Sequence, residues 1–164
     1  MRIVVLGIGN ILLSDEGVGV RAIEALREQW LLPAEVEVID GGTSGMELLE
    51  DLSRADLLVV TDAVKAGRPP GSIVRIAGGD VPVFFRAKLS PHQVGLSDVL
   101  ADLEFLGEPP RETVIFGVQP LSLETRLGLS PEVAACVPKV VEMIVDELRA
   151  RGIAIRSRAH ATVH

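Results

Sequence analysis

The sequence predicts a three-layer α/β sandwich, with a mostly parallel, twisted, five-stranded sheet and helices on both of its faces. Three observations carry that expectation. Residues 2–6 and 56–61 are continuous apolar runs without alternation, the pattern of strands buried on both faces. Apolar residues at three- and four-residue steps fill the stretches between such runs, as amphipathic helices require. The links are short, which suits strand–helix–strand units with right-handed crossovers.

The elements follow in order. The first strand, residues 2–6, is bounded by Gly7 and Gly9. A helix starts near Glu16, repeats Val20, Ile23, Leu26 and Trp30 along one face, and stops at Pro33. Residues 35–39 read as a second strand closing at Asp40-Gly41-Gly42, and Met46, Leu49 and Leu52 suit one face of a short helix. The strand at 56–61 ends at Asp62. After a turn at 67–71, residues 72–77 read as an edge strand, with an antiparallel direction open. Residues 82–92 read as a loop or frayed strand. Leu96, Val99, Leu100 and Leu103 mark another helix, and Pro109-Pro110 precedes a strand at 112–117. Ser130-Pro131-Glu132 opens the last helix with a capping residue and a proline at its first position. Pro138 must kink or restart that helix. Residues 1–155 are expected to form one α/β domain, and 156–164 a flexible tail with little apolar content.

Bulk composition removes several function classes. The chain has 164 residues and a formal charge of −7, which disfavours nucleic acid because phosphate binding needs clustered cations. One cysteine, Cys136, excludes an internal disulfide and fits a reducing compartment, so a cytoplasmic location is expected. Cys136 itself reads as a core residue. The first apolar run is too short for a signal peptide or a membrane span.

In an open parallel sheet, ligands bind beyond the C-terminal ends of the strands. Three of the strand ends deliver carboxylates here: Asp15 and Glu16, then Asp40, then Asp62. Taken singly, an aspartate after a strand is more often a turn former or cap, and Glu16 suits a helix N-terminus. Gathered on one edge they repel each other unless a cation or proton intervenes. His92, in the polar stretch Ser90-Pro91-His92-Gln93, would complete a set of one imidazole and two carboxylates with Glu16 and Asp62. Such a set suits zinc or nickel. Gly7-x-Gly9 after a strand invites a dinucleotide reading, but Leu12 stands where the third glycine belongs. Asp15 and Glu16 at the helix start would also oppose a pyrophosphate.

The segment Gly7-x-Gly9-Asn10-Ile11-Leu12-Leu13-Ser14-Asp15-Glu16-Gly17-x-Gly19 resembles the N-terminal signature of the hydrogenase maturation proteases. Asp40-Gly41-Gly42-Thr43-x-Gly45, Asp62, Ser90-x-His92-Gln93, Gly117-Val118-Gln119-Pro120 and Leu129-Ser130-Pro131-Glu132-Val133 follow in that family's order. The likeness spans about residues 1 to 150, with Ser14 standing where many members have glycine. It implies that Glu16, Asp62 and His92 are both the metal-binding set and the catalytic residues. The metal would be nickel carried by the hydrogenase large-subunit precursor, with other divalent ions able to occupy the same set. The enzyme would cut a short C-terminal extension from that precursor, after a basic or histidine residue. Asn10, Asp40, Gly41, Gly42 and Thr43 would recognise the substrate. A monomer is expected, with no nucleic-acid or membrane partner. Two other classes stay open at this point: a nucleotide-binding module of Rossmann type, and a non-catalytic chaperone that docks on the same precursor.

Overall fold

The computed structural model describes residues 1–87 and 90–161. Its centre is a five-stranded sheet built from β1 (Ile3–Ile8), β3 (Val36–Gly42), β4 (Leu57–Ala63), β5 (Ile73–Ala77) and β6 (Glu112–Val118). The spatial order is β3-β1-β4-β6-β5, parallel except for the antiparallel edge strand β5. β1 and β4 are buried along their whole length, as their unbroken apolar runs require, whereas the edge strands β3 and β5 are only partly covered.

Helices cover both faces. On one lie α1 (Val18–Gln29) and α6 (Val137–Ala150), whose Ile23, Leu26, Val141 and Ile144 pack on Ile3, Val5 and Phe116. On the other lie α2 (Leu49–Leu52), α3 (Asp80–Arg86) and α4 (Pro91–Phe105). There Leu52, Leu96, Val99 and Leu103 pack on Val4, Leu6, Leu58 and Ile115. Each of these fully buried leucines is worth about 2–5 kcal/mol against truncation to alanine. The three-layer sandwich expected from the sequence is therefore the fold.

The chain leaves β1 for β3 on one side and then crosses to β4 on the other. The sheet consequently switches direction between β1 and β4, the place where open sheets form a ligand crevice. Close packing at that switch depends on Gly19. A Cβ there would stand 2.1 Å from the Thr61 carbonyl oxygen, so only glycine lets the first turn of α1 lie against β4.

Two details differ from the sequence reading. Residues 82–86 and 91–92 are not a loop or frayed strand, because α3 occupies 80–86 and α4 begins at Pro91, while residues 88–89 of that expectation lie outside the described residues. Pro82 falls within the first turn of α3, where its missing N–H is no loss, and the apolar Val81, Val83, Phe84, Phe85 cluster mimics a strand. The last helix restarts as anticipated: α5 (Pro131–Ala134) stops, and α6 begins again with Pro138 in its first turn. Where a flexible tail was expected from residue 156, β7 (Arg156–Ser157) pairs antiparallel with β2 (Trp30–Leu31), and α7 (Arg158–Ala161) follows. Trp30 also carries the Arg149 guanidinium over its ring at 5.1 Å, which seats this strand pair on α6. Residues 162–164, the end of the expected tail, lie outside the described residues.

Candidate functional site

Glu16 follows β1 in a single 3₁₀ turn, Ser14–Gly17, that leads into α1. Asp62 is the penultimate residue of β4, and His92 sits in the first turn of α4. These three meet at the switch point. His92 Nδ1 lies 3.0 Å from Glu16 Oε1, and His92 Nε2 lies 3.1 Å from Asp62 Oδ1. The imidazole thus stands between the two carboxylates. Asp62 and His92 are buried, while Glu16 keeps part of its carboxylate in contact with solvent.

The capping box of α4 sets the histidine in place. Ser90 Oγ accepts the Gln93 amide at 3.4 Å, and Gln93 Oε1 accepts the Ser90 amide at 3.1 Å. The other end of the same glutamine side chain donates to Asp62 Oδ2 at 2.6 Å and to the Ala63 carbonyl at 3.1 Å. Gln93 therefore ties the helix cap to the strand end, and with them His92 to Asp62. Its site role was missed from sequence, although the Ser90-x-x-Gln93 box was the signal that could have found it.

Burial pushes the Asp62 carboxyl up from its ordinary range, against the opposing pull of His92, Gln93 and the Ala63 amide. At His92 burial opposes the charged ring, but the hydrogen bonds and charges of Asp62 and Glu16 outweigh it and raise the imidazole above its usual value. The two groups are joined by a hydrogen bond, so the protonation of each depends on that of the other. One nitrogen and two carboxylates are a fitting donor set for a borderline divalent ion. With the ring lodged between the carboxylates, no three such side chains among the described residues are arranged around a common ion position.

Asp15, next to Glu16, turns the opposite way. It is fully buried, and its oxygens accept from the amides of Leu121 (2.9 Å), Ser122 (3.0 Å) and Ser130 (2.7 Å) and from the Ser130 hydroxyl (2.8 Å). Although burial opposes ionisation, these bonds prevail and hold its carboxyl below the usual range. Asp15 therefore anchors the 121–130 loop and does not face the crevice. Ser14 beside it adopts a left-handed φ of 53°, which explains why glycine is at home at this position. Its side chain offsets the strain by donating to the Gly128 carbonyl and accepting from Arg126.

Two hollows lie at this end of the sheet, and Glu16 lines the first of them. One, of about 350 Å³, runs from Glu16 and His92 past Val64 and Phe84 to Pro120 and Leu123. The other, of about 320 Å³, is lined by Gly9, Asn10, Asp40, Gly42 and Thr43, with Leu12 and Val20. Gly9, in the wall of the second hollow, packs against the Glu16 backbone: a Cβ there would stand 1.9 Å from the Glu16 carbonyl oxygen and 3.5 Å from Asp62 Oδ1. Four of the five residues expected to recognise substrate thus share the second hollow. Gly41 instead turns inward against Leu6 and Ile8. Asp40 is exposed, with Oδ1 accepting the Gly42 amide at 2.9 Å, and does not join the Glu16–His92–Asp62 group. Cys136 is half-buried, and burial, then the charge of Asp15, push its thiol up and leave it protonated.

An open α/β sheet with a carboxylate–imidazole–carboxylate group at its switch point defines a class of protein that acts on a ligand seated above the strand ends. The particular family comes from similarity to known proteins. Residues 20–147 match the hydrogenase maturation protease family, a span that includes Asp62 and His92 and begins just after Glu16. The chain is 47% identical over 154 residues to the hydrogenase 2 maturation protease of Escherichia coli strain K12, covering 93% of this chain and 94% of that protein. It is 43% identical over 164 residues to the hydrogenase expression/formation protein HupD of Thiocapsa roseopersicina, covering 99% and 74%. Among solved structures, the hydrogenase maturating endopeptidase HybD of Escherichia coli superposes with a TM-score of 0.94 at 45% identity, over 98% of this chain and 99% of that one. The [NiFe] hydrogenase maturation protease HybD of Thermococcus kodakarensis gives 0.73 at 29% identity, over 90% and 99%. The chain belongs to the hydrogenase maturation protease family, and it is an endopeptidase.

Proposed function

We propose that this endopeptidase removes the C-terminal extension from the large-subunit precursor of a [NiFe] hydrogenase once that precursor carries nickel. The observation that carries the reading is the meeting of Glu16, His92 and Asp62 at the switch point, where Glu16 and His92 line the first hollow. For Glu16, Asp62 and His92 to contact the substrate's nickel together, the His92 ring has to leave its place between the two carboxylates as the precursor binds, and the same three residues serve the hydrolysis. Bound there, the metal would polarise the scissile carbonyl or an attacking water. The hydrogen-bonded His92–Asp62 pair can take a proton from that water and return it to the leaving amine. Asn10, Asp40, Gly42 and Thr43 offer polar groups for the substrate in the second hollow, with Gly41 supporting the turn from below.

Selection of loaded over empty precursor follows from the same arrangement. Two carboxylates with no lysine or arginine among their recorded partners gain most from a substrate that brings its own cation. An empty precursor lacks that contact and is spared.

Mass spectrometry of a large-subunit precursor incubated with the enzyme, with and without nickel, tests the reading. Loss of a C-terminal peptide from the loaded form alone is the expected result. Cleavage of both forms at equal rates would remove the metal from recognition, and an unchanged mass would refute the substrate assignment.

A further inference from the structure

Among the described residues the Asp62 carboxylate bonds to Ala63, Gln93 and His92, and the last of these must withdraw before nickel can be shared with Glu16. Each Asp62 oxygen then keeps one donor: the Ala63 amide on Oδ1 at 2.8 Å and the Gln93 side chain on Oδ2 at 2.6 Å. The Gln93 amide is itself held from both ends. Its NH₂ group also reaches the Ala63 carbonyl at 3.1 Å, and its oxygen accepts the Ser90 amide at 3.1 Å. Both N–H donors are therefore spent, and at 7% exposure there is little water to compete for them.

We infer that Gln93 is a positioning residue for the reaction, holding the buried Asp62 carboxylate in place for the substrate's nickel while the His92 ring withdraws. The inference rests on the proposed function. A buried carboxylate that loses a partner must keep another donor or turn away from the site. Gln93 is that donor, and its anchor on the Ser90 amide does not depend on where the ring lies. Its neutrality matters as much as its reach. An arginine or lysine in its place would cancel the charge of Asp62, whereas an amide orients the carboxylate and leaves that charge for the incoming cation.

Two forms of the precursor separate positioning from mere capping of α4. The nickel-loaded form is followed as substrate and the nickel-free form as a competitive inhibitor, well below the melting temperature of each enzyme. Gln93→Met keeps the length of the side chain and removes both the donor to Asp62 and the cap. KM for the loaded precursor should rise at least about tenfold, while kcat and the Ki of the empty precursor stay within about threefold of wild type, because only nickel makes the missing contact. Gln93→Asn, one methylene shorter, should shift KM in the same direction and reads the effect if methionine unsettles the helix start. In a folded variant, a KM that does not move, or a KM and a Ki that rise together, overturns the positioning role and leaves the protease reading standing. Failure of wild type to cleave the loaded precursor overturns both.

Discussion

The two ends of the same sheet treat charge in opposite ways. At the N-terminal ends of the strands, charges are paired close to the surface. Asp56 accepts the Arg2 amide and meets Arg111, and Arg151 joins Glu112 (2.7 Å) to Glu147 (3.2 Å), which also holds Arg75 (2.8 Å). At the C-terminal ends, Asp62 and His92 are buried and shifted in pKa, with Glu16 beside them and no arginine or lysine recorded as partner. Acid–base pairs at a solvated edge stabilise a little and ask for nothing further. Buried carboxylates around an imidazole are costly to keep and are retained where chemistry needs them.

The comparison breaks first at the C-terminal end. Asp62→Asn and His92→Ala should each lower precursor cleavage by at least about a hundredfold while the fold persists. Cleavage by purified, folded variants checks this, and full activity in either removes that residue from the site.

A smaller effect separates Asp15 from its neighbour. Asp15→Asn removes the charge and replaces one acceptor oxygen by an NH₂ group that faces amide donors of the 121–130 loop. The expected loss is about 3 kcal/mol of stability, or roughly 10 °C in Tm, read by thermal unfolding. A melting temperature unchanged from wild type would mean that the loop does not depend on this anchor.

The smallest effect belongs to the N-terminal end. Burial opposes ionisation of Glu147, but Arg75 and Arg151 prevail and hold its carboxyl below the usual glutamate value. A depressed carboxylate contributes stability above its unfolded pKa and loses it as the pH falls through the folded one. Wild type should therefore exceed Glu147→Gln by about 0.5–1 kcal/mol near neutrality, and the gap should close below about pH 4. Denaturant unfolding across pH reads it, and a gap that widens in acid would reverse the assignment. Cleavage should not change in this variant.

Much of this contrast is legible in the sequence, and the limits have physical causes. Residues 2–6, 56–61 and 112–117 read as strands because central strands must be apolar on both faces. The meeting of Glu16, Asp62 and His92 on one edge is legible from the strand-end rule and the resemblance, since each lies within a few residues of a recognisable element. The opposite orientation of Asp15 was not reachable, because its donors lie more than a hundred residues away in a loop without periodicity. The pairing of Trp30–Leu31 with Arg156–Ser157 leaves no local pattern for the same reason. At α3, Pro82 and the apolar run Val83-Phe84-Phe85 hid a helix whose first turn tolerates proline.

The central claim is that adjacent carboxylates divide the work, Asp15 holding the loop and Glu16 serving the substrate. Parallel measurement of thermal unfolding and of nickel-loaded precursor cleavage for Glu16→Gln tests it most directly. The account predicts a melting temperature close to that of wild type and loss of cleavage. A variant that melts as early as Asp15→Asn, or that still trims the precursor at the wild-type rate, would contradict it.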